Sequence, residues 1–350
     1  MKKVRALIED GMDYAVVLAV LGMGCVGLMA GNLPQQAMPV AVATPSPALL
    51  VLNKTENMLA IVDPKTLVVV AKVPTGPVPH EVAASVDGKW AVVTNYGAEQ
   101  NGTTLSAIDL VGQKEVHRVD IGPLRGPHGI VAGRDGTFVF TAEGSNAIAG
   151  YDPVKNEVGA WRLPTSQNRT HMVVETKSGA QFFTANVGSN TVTGFERNAK
   201  TGQWSTTQIA VGNGPEGIDM SPDEKEVWAA NSGDGTVSQI DTASKRVTGT
   251  LDAHTKRSNR LKFTPDGKLV LISDMGAGDL VIVDVATGKV VKRIHLGKSV
   301  EGILVQPDGT RAFVAVTPEN KVAVVDLKTL EETTTFTTGQ EPDGMAWVKK

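Results

Sequence analysis

Cysteine occurs once in these 350 residues, at Cys25, so no disulfide can staple the chain beyond it and the fold must be stable through its own core. Aromatic residues are few, with eight Phe, five Trp and three Tyr, which leaves little for the aromatic-rich patch that protein interfaces favour. Neither sign of charge dominates: 34 Lys and Arg stand against 37 Asp and Glu, and the two are interspersed. Without a basic stripe able to neutralise several phosphates, nucleic acid is not an expected partner. The chain also lacks a GxSxG elbow, a P-loop, a dinucleotide fingerprint and a CxxCH haem site. Serine hydrolases, NTPases, nicotinamide enzymes and c-type cytochromes are therefore disfavoured.

One long apolar run exists, from Ala15 to Ala30, behind Lys2, Lys3 and Arg5 and ahead of a Pro/Ala-rich stretch. Residues 1–48 are thus expected to be an export signal or an uncleaved membrane anchor with a linker, the only part that would meet a membrane. That places the remainder, 49–350, in the periplasm or outside the cell. Glycine is abundant, at 37 residues, and lies among many Val, Ile and Thr, as in a chain of short strands joined by tight turns.

The chain repeats itself. An apolar triplet ending in an acid recurs at Val62-Asp63, Ile108-Asp109, Tyr151-Asp152, Phe195-Glu196, Ile240-Asp241, Val283-Asp284 and Val325-Asp326, spaced by 42 to 46 residues. Between these lie hairpin turns such as Asp87-Gly88, Asp135-Gly136, Asp266-Gly267 and Asp308-Gly309, whose glycines permit positive φ. Each unit holds four strands and no helical period, which is the sequence form of a propeller blade. The expected fold is all-β, a seven-bladed β-propeller of four-stranded blades. Its ring should close where Leu49–Asn53, a second strand, pairs with Gly344–Val348, a first strand.

Segments such as Val92-Val93-Thr94-Asn95, Phe183-Thr184-Ala185-Asn186 and Trp228-Ala229-Ala230-Asn231 resemble the YVTN-type repeat of YncE-like and surface-layer propellers. The resemblance spans residues 49 to 350 and implies the fold. It implies little about activity, since propellers host lactonases, lyases and pure binding scaffolds alike.

Aligning the seven first strands puts one polar residue in the same register of each: His80, His128, His171, Glu216, Asn259, Glu301 and Asp343. Only six histidines exist in the chain, and three fall here on successive blades. His80, His128, His171 and Glu216 are a donor set that Zn²⁺, Mn²⁺ or Fe²⁺ accepts, so a divalent transition metal is an expected cofactor. Asn95, Asn186, Asn259, Arg260 and Lys262 are candidate ligand contacts; Arg260 stands where four other blades have glycine. The sequence supports two readings: an exported, monomeric propeller that binds a small molecule or an exported protein partner at the channel mouth, or a metal-dependent lyase or lactonase-like hydrolase. In the second, Glu143, Glu301 or Asp343 would be the acid or base.

Overall fold

A computed structural model describes residues 42–349; the expected export segment, with Cys25, lies almost wholly outside them. Among the described residues the strands form seven four-stranded antiparallel sheets and no α-helix, and no helix is long and apolar enough to cross a membrane. The blades are numbered by their first strands: one, Pro79–Ala84; two, Pro127–Ala132; three, Thr170–Glu175; four, Pro215–Met220; five, Ser258–Phe263; six, Ile303–Val305; seven, Pro342–Val348. Blade seven is completed by Ala48–Asn53, Met58–Asp63 and Val68–Pro74, with Leu49 opposite Trp347 and Val51 opposite Met345. The ring closes as the sequence predicts. The compact body begins at Val42, a few residues before the expected boundary, and Gln113 donates to the Val42 carbonyl at 2.8 Å.

The core lies between blades. Along Ala48–Asn53, Leu50 and Leu52 pack toward Val82, Ala91 and Val93 of blade one, while Leu49 and Val51 pack toward Phe313 and Ala315 of blade six. Alternate side chains of a strand face opposite sides of its sheet, so a run of four apolar residues is what a strand buried on both faces requires. The outermost strands face water: Glu331–Phe336 is exposed almost throughout, and its charges and threonines blunt the edge it would otherwise offer to another strand.

The repeat residues do local work. Each triplet aspartate caps the turn after its strand; Asp109 Oδ1, for example, accepts the Val111 and Gly112 N–H groups at 2.9 and 3.0 Å. The asparagines close the second strands from within. Asn95 is fully buried and its amide donates to Thr104 and Ser106 at 3.0 Å. The threonines join one blade to the next. Thr94 Oγ1 accepts from the Glu81 N–H and donates to the His128 carbonyl; Thr141 Oγ1 accepts from Gly129 and donates to the His171 carbonyl at 2.7 Å.

Candidate functional site

The first strands line the central channel, and all but that of blade six are irregular where they begin. The ladder slips between Pro79 and Glu81, Pro127 and Ile130, Thr170 and Met172, Pro215 and Gly217, and Ser258 and Leu261. The skipped residues include His80, His128, His171, Glu216 and Asn259, with Asp343 skipped likewise on blade seven, so most of the register found in the sequence is a set of β-bulges; Glu301 instead stands just before its strand, which pairs without a slip. A bulge takes a residue out of the ladder and re-aims its side chain. Proline precedes the bulged residue at Pro79, Pro127, Pro215 and Pro342, a signal in the sequence that the aligned polar column did not use. Glycine follows where neighbouring first strands touch: a Cβ on Gly302 would collide with the Asp343 carbonyl, and one on Gly344 with the His80 carbonyl.

The three histidines come together. His128 stacks on His171 with ring centres 3.8 Å apart, and His80 lies 5.0 Å from His128, with Tyr96 against both. His171 Nδ1 meets Glu143 at 2.7 Å, and Arg169 donates to the other oxygen of Glu143 at 2.8 Å. A histidine held this way through Nδ1 offers Nε2, in its neutral form, as a lone pair; that atom is 3.9 Å from Glu216 Oε1. Asn259 donates to the same Glu216 oxygen at 2.8 Å. On the other flank Lys54 bonds Glu301 at 2.6 Å and lies 3.4 Å from Asp343, which is 3.8 Å from His80 Nδ1. Four carboxylates thus face two cations around a core of imidazoles.

Burial sets the protonation states. It lowers His80 to about 4 against the pull of Asp343, and holds His128 well below its ordinary value, helped by the neighbouring histidines. Burial works against ionising Glu143, yet its bonds to His171 and Arg169 prevail and hold it at about 2. Burial and the charge of Asp343 push Glu301 up, while Lys54 and Arg260 hold Asp343 below the usual carboxylate range against its burial. Tyr96 is raised, by burial first and then by Glu143.

The predicted residues divide three ways. All seven of the polar ring, with Glu143, meet at one mouth. The metal set His80, His128, His171 and Glu216 shares an arc, but among the described residues no three His, Cys, Asp or Glu side chains surround a common point; stacking sets two of the rings face to face. Asn95 and Asn186 are turned into their blades: Asn186 is fully buried between Thr170, Thr191 and Thr193. Arg260 and Lys262 are not free for an anion at this mouth. Arg260 reaches across the channel to Glu81 on blade one, with Nε at 2.8 Å from its carboxylate, and Lys262 lies 3.4 Å from Asp219. Glu81 occupies the alignment column of Arg260, so the two charged exceptions to its glycines pair with each other. Lys54, Tyr96 and Arg169 were also missed; Lys54 and Tyr96 each follow a repeat asparagine.

A model of YNCE-like beta-propellers matches residues 13–207. No curated protein matches the sequence. Solved structures match the fold at low identity. A protein of unknown function from Desulfotomaculum acetoxidans is 14% identical, with a TM-score of 0.73 over 86% of this chain and 99% of its own. A candidate 6-phosphogluconolactonase from Bacteroides fragilis is 16% identical, at 0.72 over 87% and 99%. Hydrazine synthase of Kuenenia stuttgartiensis is 18% identical, at 0.64 over 77% and 89%. Identities this low carry the fold alone.

Proposed function

This chain belongs to the YNCE-like β-propeller family, and on that premise we propose that it is an exported propeller that binds a small ligand, with a divalent transition metal, where its first strands begin. One observation carries the reading. Four buried polar atoms without a hydrogen-bond partner, His128 Nδ1, His171 Nε2, Asn259 Oδ1 and Asp343 Oδ1, lie on this one ring. Each such atom costs about 1–3 kcal/mol, and a bound ligand would relieve all four. The donors are of the type a transition metal takes: imidazole nitrogens and a carboxylate. His171 and Glu216 stand nearest to sharing an ion, and His80 and His128 would supply further nitrogens only on turning out of the stack. When bound, the metal would supply positive charge to polarise an oxygen of the ligand. Around it Arg169 and Glu143 hold His171 in place, and Lys54 holds Glu301 and Asp343 on the other flank.

Titration of the purified protein with Zn²⁺ and Mn²⁺, beside elemental mass spectrometry of the protein as isolated, tests this. Near-stoichiometric metal is expected, and its loss in a His128→Ala/His171→Ala variant. A wild-type protein that neither carries nor takes up metal would remove the metal from the proposal. The metal-dependent lyase or hydrolase is the second reading, favoured by Glu301 alone. Of the three carboxylates considered as acid or base it is the one whose pKa is raised, whereas Glu143 near 2 has no proton to give at neutral pH.

A further inference from the structure

The other end of the channel is separate from the histidine arc. The Arg260–Glu81 pair spans the channel, both side chains nearly buried, and beyond it opens a cavity of about 470 Å³ collared by Ile130, Ile218, Ile303 and Met345. Arg134, Glu175 and Lys177 line both this cavity and a second of about 380 Å³, so the two form one trough that leads outward between blades two and three. Each is of the size that holds a small ligand.

The outer part has an aromatic wall. Phe182 lies 5.9 Å from Trp161 and 5.1 Å from Trp204, with planes 25° and 31° from parallel, and both tryptophans are half-buried. Near-parallel rings at these separations stack on one another, leaving the half-buried tryptophans to line the cavity without forming the cage that surrounds a cation. Its border mixes signs: Asp135 and Glu175 offer acceptors, Arg134 and Arg197 donors, while the Lys177 ammonium is turned to the Pro222 carbonyl at 2.7 Å. Burial, and the charge of Asp135 after it, push Glu175 to about 7, so near neutral pH this carboxyl both donates and accepts. A cation would meet the two arginines and an anion the two carboxyl groups. A neutral ring with an apolar face and hydroxyls around its rim satisfies both.

We propose that this trough binds a short neutral saccharide, one sugar ring lying on the wall of Trp161 and Trp204, its hydroxyls bonded to Glu175, Asp135 and Arg197, and the chain continuing into the channel cavity. Chitotriose, cellotriose, maltotriose and mannotriose, titrated while tryptophan fluorescence and heat are read, supply the test, with adenosine as a stacking control. At least one trisaccharide should bind, and Trp161→Leu or Trp204→Leu should weaken it about tenfold, the worth of one aromatic contact. Arg197→Ala, at an exposed position, should weaken it less while leaving the melting temperature unchanged, which guards against a tryptophan variant that fails to fold. Glu175→Gln should flatten the dependence of affinity on pH around 7, and His128→Ala, at the opposite mouth, should leave affinity unaltered. Failure of all four sugars to bind, binding indifferent to the tryptophan and arginine variants, or binding of adenosine alone overturns the proposal.

Discussion

At His80 the environment that makes a ligand site also makes a weak point against acid. Its pKa in the folded protein is about 4, below the ordinary 6.5, so between those two values the unfolded chain binds a proton that the folded one does not. Stability is therefore full above pH 6.5 and declines as pH falls through that window. With the side chain one-fifth exposed, the loss from this residue should be roughly 1–3 kcal/mol by pH 4. Urea denaturation at pH 7.5, 5.5 and 4.5 should show the decline, and His80→Gln should reduce it. An unchanged slope in that variant would mean that solvent reaches the ring and burial does not set its pKa. The polar column and its three histidines were legible in the sequence, because residue type at a fixed register needs no coordinates. Glu81 was not recognised there. Its partner lies 179 positions away, and only closure of the ring brings the two together.

Between elements, the threonine next to last in a second strand matters more than its place there suggests. Thr141 satisfies the Gly129 N–H that the bulge frees and holds the carbonyl of His171 on the next blade. Thr141→Val keeps the shape and removes both bonds, leaving a buried donor and a buried acceptor unpaired. The expected cost is about 1–3 kcal/mol in urea denaturation, together with weaker metal uptake, since His171 is no longer held from behind. Thr191→Val, at the partly buried end of its strand, should cost less and leave uptake as it was. The repeat asparagines illustrate the opposite case. Asn95 and Asn186 looked like ligand contacts because they end strands at the right mouth, but the hydroxyls of the neighbouring strand take their amides. Which way an asparagine turns depends on what stands beside it.

For the whole molecule, closure is the step on which the rest depends. Removing Pro342–Lys350 takes away the first strand of blade seven, with Met345, Ala346 and Val348 buried against its neighbours, and leaves Ala48–Asn53 with an open edge. Each large apolar side chain so lost accounts for about 1.5–3 kcal/mol, and Asp343 goes with them. The truncated protein should unfold at markedly lower urea, or fail to fold, as circular dichroism would show. A midpoint equal to that of the full chain would mean that the two ends contribute little to the ring. Closure also divides the channel, because the Arg260–Glu81 pair exists only when blades one and five stand opposite each other. Breaking such a buried pair from one side costs more than replacing both partners, since a lone charge is then left without solvent.

The number of blades, the strands in each, the terminal closure and the polar ring follow from the sequence alone, because periodicity, turn glycines and two-sided apolar runs are local properties that a strand cannot hide. Only the tertiary structure decided that most of the ring residues sit in bulges, that Arg260 is spent on Glu81, and that a trough with an aromatic wall opens at the far end. Those features join residues from different blades, and the distance between them is set by how seven sheets pack around an axis, which no local pattern records.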